Sequence, residues 1–459
     1  MTATELHLAS VTALAALIRA RRASSVEVVE ACLRRIETVN PRINAVVRFA
    51  DGSLDAARAA DAALRTGAAV GPLHGVPFTL KDSIDTAGLV TTAGTIGWRD
   101  RVPERDATVV ARLRGAGAIL LGKTNTPEFT WSDETANAVY GRTSNPYDLE
   151  RTSGGSSGGS AAIVASAGSP FDIGSDTGDS IRAPSHFCGV AGLKPTQGRV
   201  PRTGHSPSFH GILGSWTQLG PIARAVDDLA LVLPIIAGPD GEDPLVMPIP
   251  LRDRADVDVA SLRVAVFTDN GVLSPTAETV VAVRAAAAAL ADAGARVEER
   301  LPDGLADLPD LYDRIVHADG HAWLRRLIAA AGTPGDGSYA WLANERTIPV
   351  EELTDLLERL DDVRSRVLRS MADLDLIVCP VTPGPAFPHG GEPVAKDTYS
   401  EPHNLTGQPS GVVRAGTSPE GLPIGVQLVG RHWREDVVLA AASVVEAALG
   451  GWRPPPAFA

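Results

Sequence analysis

The stretch that decides the reading is GSDTGDSIRAPS, Gly174–Ser185, together with TSGGSSGGS, Thr152–Ser160, upstream of it. Both are glycine-rich loops that present serines. Three chemistries use such loops: a Ser-His-Asp esterase, a phosphate cradle, and a serine activated by lysine. The esterase reading needs a histidine base. None of the ten histidines has an aspartate three residues before it, and Gly178-Asp179-Ser180-Ile181 is followed by Arg182, so the G-x-S-x-G elbow fails. The phosphate reading needs a G-x-x-x-x-G-K-[ST] or a G-x-G-x-x-G between strand and helix, and neither is present. A metal hydrolase would show H-E-x-x-H or a cysteine pair. The chain offers only His317 and His321, at a spacing that puts both on one helix face, as a solvent-facing or lid pair without a third ligand. Neither a metal nor a cofactor is implied.

The lysine reading survives. A serine hydroxyl needs a base, and a buried lysine, made neutral by desolvation, can be one. Lys81 ends the apolar run of HGVPFTLKDSIDT, where a strand delivers a side chain into a closed site. Asp82 and Asp85 follow, and for Lys81 to stay neutral they must point elsewhere. From these residues alone a strand-end lysine in a surface ion pair explains the pattern better.

Around this centre the chain alternates short apolar runs with helices. PFTLKDS and AGAILLGKTN read as strands, and ATVVARLRGAG as an amphipathic helix ending at Gly115. LRVAVFTDNG, ETVVAVRAAAAALADAG and ARVEERL read as strand, helix and parallel strand. DLIVCPVTPGPA and LPIGVQLVG are further strands, and DVVLAAASVVEAAL is a closing helix. The fold class is therefore α/β with a covered sheet. Residues 1–65 are expected to be helical, with Ser10 capping the first helix and Ser24 or Ser25 the second, which stops before Pro41. Residues 71–240 would form the core that carries the chemistry. Residues 303–373, helical and charged, would be an insertion shaping the substrate side, all within one domain spanning 1–459.

Composition excludes several classes. The net charge of −13 disfavours nucleic acid as a partner. No run of 18 apolar residues suggests a membrane span, and the N-terminal residues do not read as a signal peptide. Cys32, Cys188 and Cys379 have no paired spacing, which fits reduced thiols in the cytoplasm.

Taken together, His74–Thr95, Gly122–Trp131, Thr143–Ala165 and Gly174–Pro201 resemble the amidase signature family in content and order. The blocks GPIARAVDDLALVLPIIAGPDGEDP, NLTGQPSGVV and GLPIGVQLVG extend the resemblance from about Val11 to Leu449, most weakly between Arg252 and Asp373. The resemblance implies an α/β fold with a large mixed β-sheet flanked by helices on both faces, and a Ser–cis-Ser–Lys triad. By motif position Ser180 would be the nucleophile, Ser156 the bridging serine after a cis Gly155–Ser156 peptide, and Lys81 the base. Backbone N–H groups of Thr177, Gly178, Asp179 and Ser180 would form the oxyanion hole. Asp176 and Arg182 would hold the loop, and Ser157 and Ser153 would add hydrogen bonds to the triad. Thr130 would map to the acyl pocket, Phe129 and Trp131 to the pocket or, in preference, the core, and His186 and Cys188 to neutral buried packing.

The resemblance further implies hydrolysis of a small amide, including aryl amides and carbamates (urethanes) as in bacterial aryl acylamidase- and urethanase-like members, and also esters. Such an enzyme acts as a monomer or homodimer on a small molecule. The alternative is the glutaminase subunit of a tRNA-dependent amidotransferase, which needs a partner subunit. A relative that only binds is disfavoured by the intact Lys81, Ser156 and Ser180. Two positions depart from the family pattern. Asp179 stands where glycine is usual, and its carboxylate is expected to point away from the oxyanion, to neighbouring backbone or the substrate side. Arg414 stands where proline is frequent.

Overall fold

In PFTLK, Phe78 and Leu80 point to one side of a strand while Thr79 and Lys81 point to the other, and that alternation runs through the whole sheet. The computed structural model describes residues 3–333, 339–391 and 399–458. Among them are β1 (Val46–Phe49), β2 (Pro77–Lys81), β3 (Ile119–Thr124), β4 (Ala136–Asn137), β5 (Gly141–Arg142), β6 (Phe171–Asp176) and β7 (Ala191–Lys194). They are followed by β8 (Gln218–Ala223), β9 (Arg263–Val266), β10 (Arg296–Glu299), β11 (Leu376–Pro380), β12 (Ser410–Thr417) and β13 (Pro423–Gly430). Eleven of these form one mixed sheet in the order β1-β3-β2-β6-β8-β7-β12-β13-β11-β9-β10, with β4 and β5 a separate ribbon. The run β3-β2-β6 is parallel, as are β10-β9 and β9-β11, and the remaining pairs are antiparallel.

Both faces are covered. Phe78, Leu120, Leu219, Val264, Val378 and Val426 share one face, packed by helices Val11–Arg19, Val226–Ile236, Ala277–Asp292 and Glu435–Leu449. On the other face Leu121 and Ile222 meet helices Ser25–Ile43 and Gly158–Ala165. Farther along that face Ala265, Ile377 and Val429 meet helices Leu308–His317 and Val350–Ser370. Lys81, on the parity of Thr79, belongs to this second face. The carboxyl ends of parallel strands, where Lys81 sits, are where open α/β sheets place their sites.

Ser10 caps the first helix, accepting from Ala13 N–H, and Ser24 with Glu27 forms a capping box on the second. Two N-terminal expectations need correction. The second helix does not stop before Pro41 but runs to Ile43, ending at left-handed Asn44. Proline in the last turn forfeits one amide bond, while Asn40 holds the exit through its side-chain oxygen on Ala45 N and Val46 N. Residues 1–65 are not all helical, because β1 lies within them as the edge strand against β3. The strand–helix–strand unit of β9, Ala277–Asp292 and β10 is parallel as expected. Of the 303–373 stretch, residues 334–338 lie outside the described residues.

Candidate active site

Lys81 is fully buried at the end of β2. Its Nζ lies 2.6 Å from Ser156 Oγ, 2.9 Å from Ser157 Oγ and 3.0 Å from Ser175 Oγ. Burial lowers its pKa from 10.5 to about 7, against the opposing pull of Asp176, Asp172 and Asp179. Asp82 and Asp85 take no part. Asp82 accepts from Thr92 N and Oγ1 and faces Lys123, and Asp85 forms a two-pronged pair with Arg101 at 2.8 and 2.7 Å.

The serines reach Lys81 from two loops. Gly155–Ser156 is a cis peptide, as the resemblance implied. The glycines around it are there for close approach rather than for phosphate. A Cβ on Gly155 would sit 2.2 Å from the Ser132 carbonyl oxygen, and one on Gly159 2.4 Å from the Asn125 amide nitrogen. The helix that starts at Gly158 is buried on every side. Ser157 does reach Lys81. Ser153 does not: its hydroxyl donates to the Thr143 carbonyl. Ser175 was missed by sequence reasoning. Strand alternation groups it with Ile173, on the opposite face from Asp172, yet at the strand's end its hydroxyl meets Lys81.

Ser180 lines the adjoining cavity and is partly exposed to it. Its carbonyl accepts from Ser157 N–H at 3.2 Å, which ties the two serine loops together. Among the described residues no hydrogen bond joins the Ser156 and Ser180 hydroxyls. Thr177, Gly178, Asp179 and Ser180 all line the cavity, and the amides of Gly178 and Ser180 make no backbone bond among the described residues.

The loop is held from below. Asp176 accepts from Ile181 N at 3.0 Å, Arg182 Nε at 3.0 Å, Arg182 Nη2 at 2.8 Å and Asn404 Nδ2 at 2.9 Å. Arg182 also donates to the Ser400 carbonyl and Gln427 Oε1, and its Nη2 reaches the Gly178 carbonyl. Both side chains are fully buried. Burial raises the Asp176 pKa, but the charge and hydrogen bonds of Arg182 outweigh it and leave the carboxyl below its ordinary range. Asp179 is buried, 5% exposed, and is among the residues lining the cavity. Arg414 stacks over Tyr147 and donates to Thr417 Oγ1 at the edge of β12.

The cavity has a volume of about 440 Å³. Thr130 lines it, and Phe129 is core, packed on Trp98 and Tyr339. Trp131 takes both of the placements open to it, packing on Trp323 and Phe209 and also lining the cavity. His186 and Cys188 are buried as expected. His186 is held neutral, pushed down to about 4 by burial, with Nδ1 accepting from Gly425 N–H.

Much of the remaining wall comes from the 303–373 stretch, through Tyr312, His317, His321, Trp341 and Glu345. The histidine pair differs from expectation. The helix ends at His317, the chain turns through Gly320, and His321 adopts φ 55° as it starts the next helix, so the two do not share a helix face. His321 is 1% exposed rather than solvent-facing. The fold also brings Glu345 to the pair, with donor atoms of all three residues within 4.8 Å of one another.

A family model described as Amidase matches residues 27–439. A glutamyl-tRNA(Gln) amidotransferase subunit of Chloroflexus aurantiacus is 38% identical to this chain over 95% of it and 96% of the relative. An acylamidase of Rhodococcus erythropolis is 35% identical over 97% of each. The solved structure of 6-aminohexanoate cyclic dimer hydrolase with its substrate superposes with a TM-score of 0.88 at 31% identity, covering 99% of this chain and all of the other. Sequence motif, structural superposition and family match agree, and the chain belongs to the amidase signature family, as an amidohydrolase of carbon–nitrogen bonds.

Proposed function

We propose that this enzyme hydrolyses a small uncharged amide, an aryl amide or carbamate by preference, through an acyl-enzyme on Ser180. The observation that carries the reading is a fully buried lysine, with a pKa near 7, whose Nζ lies 2.6 Å from Ser156 Oγ. In this reading neutral Lys81 takes the proton of Ser156, Ser156 takes that of Ser180, and Ser180 Oγ attacks the carbonyl carbon. The oxyanion is met by the amides of Thr177, Gly178, Asp179 and Ser180, fixed in place by the Asp176–Arg182 pair. The same relay returns a proton to the leaving nitrogen, which departs as an amine, and water then attacks the acyl-enzyme. The link between Ser156 and Ser180 closes when substrate fills the cavity, since such bonds tighten in the complex.

The wall supports the substrate class. Trp131, Tyr312 and Trp341 offer aromatic faces, while Asp133, Asp179, Asp313, Glu345 and Glu401 give it negative charge. A free carboxylate on the substrate would be repelled.

The second reading, a glutaminase subunit working with a partner, is favoured by the similarity to the Chloroflexus protein. It is opposed by the same wall. Among the described residues that line the cavity there is no lysine or arginine to receive the α-carboxylate of glutamine. Placement in the cytoplasm fits three buried free cysteines; among the described residues no helix is long and apolar enough to cross a membrane. The test is to assay the purified chain alone on anilides, aryl carbamates, esters and glutamine. Turnover of anilides or carbamates without a partner is expected. Activity confined to glutamine, and only with a second subunit, would replace this proposal with the alternative.

A further inference from the structure

His321 is a buried imidazole with both ring nitrogens lacking a hydrogen-bond partner, and it lines the substrate cavity. Leaving such atoms unsatisfied costs about 1–3 kcal/mol each, so an arrangement of this kind calls for an occupant. Its Nδ1 is 3.3 Å from Glu345 Oε2, but the alignment is not that of a hydrogen bond. The backbone is committed to this placement, since His321 holds a left-handed φ of 55° directly after Gly320. The rings of Trp341, Trp131 and Trp323 surround the imidazole, with centroids 4.9, 6.3 and 6.3 Å away.

The neighbours complete a donor set. Donor atoms of His317, His321 and Glu345 all lie within 4.8 Å of one another. A tetrahedral ion with bonds of about 2.0–2.1 Å holds its ligand atoms roughly 3.3 Å apart. The His321–Glu345 pair is already at that spacing. His317, at the end of its helix and 43% exposed, is the ligand free to swing inward. One turn earlier, Asp313 Oδ1 lies 3.4 Å from His317 Nδ1, a carboxylate placed behind the imidazole. A carboxylate behind a ligating histidine is the usual outer support of such sites.

We propose that His317, His321 and Glu345 form a binding site for a divalent transition ion of the zinc class in the wall of the substrate cavity. Two imidazoles and one carboxylate suit zinc, cobalt or nickel, whereas magnesium and calcium favour all-oxygen shells. Three protein ligands leave a fourth position open, and all three residues line the cavity that Ser180 also lines. The acidic wall adds to the attraction for a cation. An ion bound here occupies space needed by the substrate, so the site makes hydrolysis sensitive to zinc.

The test uses the full chain without a histidine tag. Equilibrium dialysis with zinc should give one bound equivalent, weakened at least about tenfold in His321→Asn, His317→Ala and Glu345→Gln. Asparagine suits the first because it tolerates left-handed geometry. Cobalt bound to the wild type should show the intense visible absorption of a tetrahedral ion. Zinc should inhibit turnover, with recovery on adding a chelator, and the ratio of rates with and without zinc should return towards one in each variant. Zinc affinity unchanged in all three variants, or a weak octahedral cobalt spectrum, would overturn the site. One bound equivalent without inhibition would overturn the claim that ion and substrate share the cavity. Dialysis and the cobalt spectrum do not depend on which amide is hydrolysed, so their outcome is separate from that of the proposed activity.

Discussion

Replacing Lys81 with methionine should abolish turnover and should shift stability in favour of the variant more in mild acid than at neutral or higher pH, the two proteins being compared at the same pH. Burial lowers the native pKa of Lys81 from 10.5 to about 7, while in the unfolded chain it titrates near its ordinary value. Below pH 7 both states hold the proton, so the native state carries the whole cost of a buried ammonium. Between pH 7 and 10.5 the native lysine is neutral while the unfolded chain still binds a proton, so wild-type stability rises with pH. Each pH unit in that window is worth roughly 1.4 kcal/mol. Relative to the methionine variant, the wild type should therefore gain on the order of 3 kcal/mol between pH 6 and pH 9. The lost contacts to Ser156, Ser157 and Ser175 add an offset of about 1 kcal/mol each that changes little with pH. Comparing the two proteins at several pH values removes that offset. Urea unfolding of both at pH 6, 7.5 and 9 measures it. A stability difference that stays flat across this range would mean that Lys81 remains charged at neutral pH and cannot serve as the base.

Three further outcomes are expected. The acid limb of the kcat/KM profile should bend near pH 7, falling about tenfold per unit below it, because only neutral Lys81 accepts a proton; a limb near pH 4 to 5 would point to a carboxylate instead. Arg182→Met leaves Asp176 buried and unpaired and should cost about 3–5 kcal/mol by urea unfolding, and Arg182→Lys should not restore it, because lysine lacks the planar fork that also reaches Ser400 and Gln427. Gly159→Ala, whose new Cβ would meet the Asn125 backbone at 2.4 Å, should cost on the order of 1–3 kcal/mol, whereas Gly115→Ala, which faces open space at a helix end, should leave the midpoint unchanged or raise it.

Local sequence carried the strand-end lysine and the serine loops well, because each sits on a short element whose pattern is self-contained. Lys81 closes an apolar run that is fully buried in the fold, and Gly155 and Gly159 mark backbone approaches that admit no side chain. What stayed hidden depends on distant segments. β1 is a short edge strand with two exposed residues, so its sequence shows no buried alternation. Ser175 meets Lys81 only because two parallel strands end together. Glu345 reaches His321 through a turn and a loop that periodicity does not describe. Trp131 serves core and cavity together, and composition cannot divide one ring between two environments.

The central claim is that Ser180 is the nucleophile and that Lys81, through Ser156, activates it. Intact mass and peptide mapping after reaction with an aryl fluorophosphonate test it directly. The account predicts one adduct, on Ser180, forming at least about a hundredfold more slowly in Lys81→Ala and in Ser156→Ala. An adduct on another residue, or labelling at the wild-type rate without Lys81, would contradict it.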